Sequence, residues 1–144
     1  ARDSIKGSVF LKESLGFVNG GDNFEESIKY AICASTKHDE IDLSKVIYSK
    51  VFWANEPYQT ITYDSAHDNN TLFDKLRMSC KDENEEEILK MNKLAAAIVL
   101  TSQGISFLHE GEEFARVKEN LEGEIIENSY NSSDYINELK WLRK

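Results

Sequence analysis

Basic residues are scarce in this chain. Seventeen lysines and arginines stand against 26 acids among 144 residues, a formal net charge of −9. Phosphate backbones and anionic membrane surfaces require a basic face, so neither fits as a partner. A neutral polymer meets no such repulsion. Cysteine is also sparse. Cys33 and Cys80, the only two, are far apart and sit in apolar or helical surroundings, which fits two buried thiols better than a bridge. No metal-ligand spacing occurs, and the three histidines form no His-Glu-x-x-His pattern. The longest apolar run, Leu94 to Leu100, is too short to span a bilayer. No secretory leader, internal repeat or low-complexity tract is visible. There is a single proline, Pro57.

Enough apolar side chains remain (40 % of the sequence) for one domain with a packed core. Residues 1–21 hold most of the glycines and lack periodicity, so they read as irregular. A helix is expected next, capped by Asp22 or Asn23. Glu25 and Glu26 favour its positive end, and Phe24, Ile28, Ala31 and Ile32 share one face. It should end over 36–39. Residues 42–53 fit either a short helix or a strand.

The clearest helix follows Lys81-Asp82-Glu83-Asn84-Glu85-Glu86-Glu87. This acidic run reads as a solvated helix start rather than a cation site. Behind it, Ile88, Met91, Leu94, Ala95 and Ile98 form a stripe expected to pack on strands containing Ile61 and Phe107. Gln103-Gly104 stops that helix, and Ile105 to Leu108 is a short β-rich run. The tail reads as a loop and a short helix capped by Ser132 or Ser133. Helix, strand, helix and strand alternate, as in a parallel α/β fold.

The stretch from Ile61 to Leu76 organises the rest. Ile61 and Tyr63 alternate as in a strand. A polar knot from His67 to Thr71 follows, and Leu72, Phe73 and Leu76 resume an apolar pattern. A strand therefore delivers a histidine and a carboxylate to the loop at its C-terminal end, where parallel α/β barrels place their chemistry. Other candidates carry less. His109 with Glu110, Glu112 and Glu113 imitates a metal cluster, but the spacing fits acids that cap a turn and pair with Arg116. His38-Asp39 reads as a surface pair. Trp53 and Trp141 are more readily packing residues than sugar platforms.

Four segments, in order, resemble pullulanases of the α-amylase superfamily. They are Lys6 to Phe10, Pro57 to Leu76 with its Ser65-Ala66-His67-Asp68-Asn69 core, Ser102 to Glu113, and Asn128 to Trp141. The resemblance implies a partial (β/α)8 TIM barrel, α/β in class, comprising the last strands and helices only. Residues 1–144 would be the C-terminal portion of a glycoside hydrolase catalytic barrel, beginning just after its sixth strand, with no second domain. Asn70 stands where the family often has an aromatic or histidine, Ala66 replaces a usual serine, and residues 118–127 resemble an acidic insertion.

What the resemblance implies chemically is retaining cleavage of α-1,6 branch linkages in pullulan, starch or glycogen. Such hydrolysis needs a nucleophilic and an acid/base carboxyl about 5 Å apart. The segments that supply both in the family precede this one, so the chain alone is expected to be inactive and to need the remainder of a parent chain. Asp68 matches the third carboxylate, which stabilises the oxocarbenium-like transition state. His67, Asn69 and Asn131 match substrate-binding positions. No cofactor or metal is implied, and the partner is an α-glucan polysaccharide. The alternatives are a related debranching or branching enzyme, or a non-catalytic sugar-binding or scaffold piece that needs a partner chain.

Overall fold

The computed structural model describes residues 1–141. Its elements are helices α1 (Arg2–Lys6), α2 (Glu25–Ile32), α3 (Leu72–Ser79), α4 (Glu85–Thr101) and α5 (Asp134–Asn137), and strands β1 (Ile61–Thr62) and β2 (Ile105–Ser106). The strands pair in parallel, Ile61 beside Ile105 and Thr62 beside Ser106. Two parallel strands occur among the described residues, and two helices, α3 and α4, lie between them where one was expected.

Local chemistry explains the long helices. Thr71 caps α3 by accepting the Asp74 amide at 3.1 Å. Asn84 caps α4 by accepting the Glu87 amide at 3.0 Å, with Glu85, Glu86 and Glu87 in the positive first turn. The helix ends at Thr101. Gly104 then turns the chain into β2 at φ +89°, where a Cβ would lie 2.8 Å from Thr60 Oγ1. Only glycine lets β2 enter this close to the residue that precedes β1.

Several expectations need correction. Residues 1–21 are not irregular throughout, since they include α1 and a 3-10 turn, Phe17–Asn19. Helix α2 has no side-chain cap. Phe24 occupies the cap position and Asn23 adopts φ +63°. The helix stops at Ile32, because Ala34 and Ser35 are left-handed, several residues short of 36–39. Residues 42–53 are neither helix nor strand but contain one 3-10 turn, Leu43–Lys45, capped by Asp42.

The α4 stripe also packs differently. Ile88, Ala95, Ile98 and Val99 join Leu72, Phe73 and Leu76 of α3, Ile5 of α1, Ile28 of α2 and Val18 in one core. Met91 lies at its edge, whereas Leu94 is 45 % exposed. The strands turn the opposite face toward α4 from the one expected. Ser106 Oγ donates to the Val99 carbonyl at 3.0 Å, and Thr62 is buried while Ile61 and Ile105 are 60 % and 52 % exposed. Period-2 alternation puts Tyr63 and Phe107 on that same apolar face, where their rings meet edge-on at 6.1 Å.

Neither tryptophan is core. Trp53 and Trp141 are both exposed, and Trp141 leans on Phe114 with ring centroids 5.1 Å apart. Cys33 and Cys80 are free thiols, as the sequence indicates, although both are only partly buried. No described helix is long and apolar enough to cross a membrane.

The N-terminal loop is held by an internal cation. The Lys75 ammonium donates to the carbonyls of Leu11, Lys12 and Ser14 at 2.7, 2.9 and 2.9 Å. Three N–H groups meet three acceptors, which makes burial of this charge tolerable.

Candidate functional site

Both strands run into polar loops at their C-terminal ends. After β1 the backbone alternation carries Asp64 to the buried side with Thr62, and Ser65 is buried too. The chain then surfaces at His67 and Asp68, both well exposed, with His67 Nε2 3.5 Å from Asp68 Oδ1. Asn69 turns the chain at φ +64°, and Asn70 and Thr71 are buried where α3 begins. A short polar side chain tolerates this left-handed conformation better than a branched one.

The loop after β2 faces it. Gly111, at φ +95°, precedes a 3-10 turn, Glu112–Phe114, and Ala115 follows at φ +57°. His67, Asp68 and Asn69 line a cleft with His109, Arg116 and Lys118. Its far wall is Glu127, Asn128, Ser129, Tyr130 and Asn137. The expected neighbour Asn131 is exposed and comes immediately after this wall. Asn137 of α5 lines the cleft alongside these wall residues and donates to the carbonyls of Ser129 at 2.7 Å and Ser132 at 3.3 Å.

Two cations frame the cleft. Arg116 donates from Nη2 to the Asn137 carbonyl at 2.6 Å, rather than to the neighbouring acids. Lys118 ties the two sides together. Its ammonium donates to the carbonyl of Asn69 at 2.5 Å and of Glu127 at 3.0 Å, and its amide donates to Asp74 Oδ2 at 2.8 Å. Burial lowers the Lys118 pKa from its ordinary value, against the raising influence of Asp74 and Asp68. His109 is also lowered, first by burial and then by the charges of Arg116 and Lys118. It therefore favours the neutral imidazole. The stretch 118–127 folds back on itself through an antiparallel bridge between Glu119 and Ile125, leaving Leu121 exposed at its tip.

The acids after β2 do not form a metal cluster, and no group of three metal-ligating side chains occurs among the described residues. Glu113 Oε2 accepts the Gly111 amide at 3.0 Å, which is the capping role expected. Glu112 departs from it. It is buried beneath the site loop, where Ser65 Oγ donates to its Oε2 at 2.8 Å. Lys6 and Asp64 are buried in the same cluster.

Sequence reasoning missed Asp64, Lys6 and Lys118, and gave Glu112 a capping role in place of its buried one. For Asp64 a signal existed, since it lies on the same strand parity as Thr62, opposite the apolar Ile61 and Tyr63. His38 and Asp39 are exposed, and His38 Nδ1 accepts the Glu40 amide at 3.2 Å. A larger groove beside α3 and α4, floored by Phe73, Ile88, Leu89 and Val117, contains none of the site-loop residues.

A parallel strand pair whose following loops meet over a polar cleft bearing an exposed carboxylate forms a candidate site at the strands' C-terminal ends. Along nearly its whole length the chain is homologous to pullulanases, which are glycoside hydrolases. It is 36 % identical over 143 residues to the pullulanase of Bacillus subtilis strain 168, covering 99 % of this chain and 18 % of that protein. It is 38 % identical over 110 residues to the chloroplastic pullulanase 1 of Arabidopsis thaliana, covering 72 % and 11 %. The crystal structure of the Paenibacillus barengoltzii pullulanase, in complex with maltohexaose and α-cyclodextrin, superposes with a TM-score of 0.81 at 42 % identity, covering 97 % of this chain and 20 % of that one. The B. subtilis pullulanase crystallised with maltose gives a TM-score of 0.81 over 97 % of this chain. The chain thus spans about a fifth of the relatives that match it most fully. No family profile matches it.

Proposed function

We propose that this chain is the part of a pullulanase-type retaining glycoside hydrolase that carries the transition-state-stabilising carboxylate, Asp68. The carrying observation is the position of Asp68 in the cleft beyond β1, in a chain homologous to pullulanases over 99 % of its length. The substrate is an α-glucan with α-1,6 branch linkages, in keeping with the maltooligosaccharides bound in related pullulanase structures. In this reading β1 and β2 are late strands of a (β/α)8 barrel. The apolar face of Ile61, Tyr63, Ile105 and Phe107 packs against the remainder of the parent chain, which supplies the nucleophile and the general acid.

The roles follow from charge. Departure of the glycosidic oxygen leaves positive charge on the sugar ring. The Asp68 carboxylate opposes that charge while accepting hydrogen bonds from ring hydroxyls. His67 donates to a hydroxyl of the same ring, and Asn69 and Asn131 bind flanking sugar. Preorganised charge of this sort acts mainly on the transition state.

The test is Asp68→Asn in the full-length protein that carries this chain, assayed by reducing-sugar release from pullulan. The amide keeps the shape and removes the charge, so kcat should fall about 100-fold or more with little change in KM. Activity near that of the parent would remove Asp68 from this role. A related branching enzyme is distinguished by transfer of glucan chains without reducing-sugar release.

A further inference from the structure

Beneath the site loop lies a group of ionisable side chains that the hydrolytic reading leaves without a task. Lys6, Asp64 and Glu112 are 2 %, 1 % and 5 % exposed. They come from α1, from the segment after β1 and from the segment after β2. Ser65, the next residue after Asp64, is bonded to Glu112, and the Asn92 side chain of α4 donates to the Glu112 carbonyl at 3.1 Å. The cluster thus joins both strand-end loops to the helices behind them.

Its hydrogen bonds do not close if both carboxyls are ionised. Asp64 Oδ1 and Oδ2 and Glu112 Oε1 are buried without a donor from any fixed N–H or O–H group. Two facing carboxylates would repel, and three unpartnered acceptors would each carry a desolvation cost. One proton removes the repulsion and joins two of the three oxygens, because the protonated carboxyl donates to the ionised one, and the remaining negative charge is attracted by the Lys6 ammonium.

We propose that Asp64 and Glu112 share a single proton and, braced by Ser65 and Lys6, act as positioning residues that hold the His67–Asp68 loop in the cleft. Asp64 and Ser65 lie directly between β1 and that loop, so displacement of the pair shifts His67 and Asp68. The inference rests on the hydrolytic role of Asp68 for its effect on catalysis, but not for the shared proton itself.

Electrostatics supports this reading. Glu112 is raised to about 8, first by burial and then by the charge of Asp64, while Lys6 opposes the rise. Burial also raises Asp64. Lys6 is lowered to about 8, first by burial, against the raising charges of Asp64, Glu112 and Asp3, with Arg2 lowering it further. Above that pH the pair loses its proton and Lys6 its charge, so the loop loses its brace.

The experiment uses the full-length protein with Glu112→Gln and Glu112→Leu. Glutamine keeps an N–H donor toward Asp64 and cannot ionise; leucine keeps bulk and removes the donor. Glu112→Leu should lower kcat on pullulan about tenfold or more at neutral pH. Glu112→Gln should recover most of that loss and retain activity in the alkaline range where the parent falls off. Equal kcat loss in both variants, or an unchanged alkaline limb in Glu112→Gln, would overturn the positioning role. Infrared difference spectra across the same titration provide an activity-independent readout. A protonated-carboxyl carbonyl band present in the parent at neutral pH and missing in Glu112→Gln is expected, and its absence from the parent would overturn the shared proton. If that band is present but no form of the protein hydrolyses pullulan, the hydrolytic reading fails and the positioning claim falls with it, while the shared proton stands.

Discussion

The Lys118 ammonium donates to the carbonyl of Asn69 at 2.5 Å, one residue beyond the carboxylate of the candidate site. The same ammonium reaches the Glu127 carbonyl, so one side chain fixes the spacing between the Asp68 loop and the opposite wall. The contact spans 49 residues of sequence, and it holds a left-handed Asn69 that has no helix or strand to support it.

Lys118→Met keeps the length of the side chain and removes its charge and donors. The two carbonyls are then left without that partner, a cost of ~1–3 kcal/mol. The expected result in the full-length protein is a fall of about tenfold in kcat/KM on pullulan, with a smaller effect for Lys118→Arg. Parent-like kinetics for Lys118→Met would show that the cleft does not depend on this clamp.

Helix α4 offers a contrast between two leucines. Leu76 of α3 is fully buried against α4, whereas Leu94 of α4 is 45 % exposed. Truncation to alanine should cost ~2–5 kcal/mol at Leu76 and under ~1 kcal/mol at Leu94, measured by denaturant unfolding of this 144-residue chain. In the full-length protein a loss above ~2 kcal/mol at Leu94 would indicate that another layer covers it there.

Stability should also depend on pH through the buried cluster. Glu112 is raised to about 8 in the folded chain. Between the ordinary glutamate range and that value, the folded state holds a proton that the unfolded state has released, so stability falls as pH rises. Asp64 is also raised and acts in the same direction. Lys6 is lowered to about 8. From there to the ordinary lysine range the unfolded state holds the extra proton, and stability rises again. These groups together predict a trough near pH 8 in unfolding free energy measured from about pH 5 to about pH 10. Glu112→Gln should flatten the acid side of the trough and leave the alkaline rise. An unchanged decline on the acid side would show that Glu112 is not the group responsible.

Local chemistry made part of this protein legible. Asn84 followed by three glutamates announces the start of α4, and its apolar period carries the helix to Thr101. Ile61 and Tyr63 announce β1, and the polar knot after them places Asp68 at a strand end. Helix α1 was not legible, because Arg2 to Lys6 make a single short helical turn whose support comes from burial of Ile5 in the core rather than from propensity. The resemblance points to Asn131, which is exposed directly after the cleft wall, but it gives no sign of Asn137, which reaches the cleft through the docking of α5.

The sequence by itself determined where α4 and the two strands lie, and that a histidine–aspartate pair follows the first strand, whereas the apolar pattern at Leu72, Phe73 and Leu76 did not by itself announce α3. Those features depend on side-chain period, capping groups and turn residues within a few positions of one another. Tertiary structure alone decided that Thr62 rather than Ile61 is buried, that Glu112 sits beneath the site loop with Asp64, and that Lys118 clamps Asn69. Each of those outcomes depends on groups brought together from distant parts of the chain. Their protonation and burial follow from local dielectric and available donors, which no neighbouring residue in the sequence specifies.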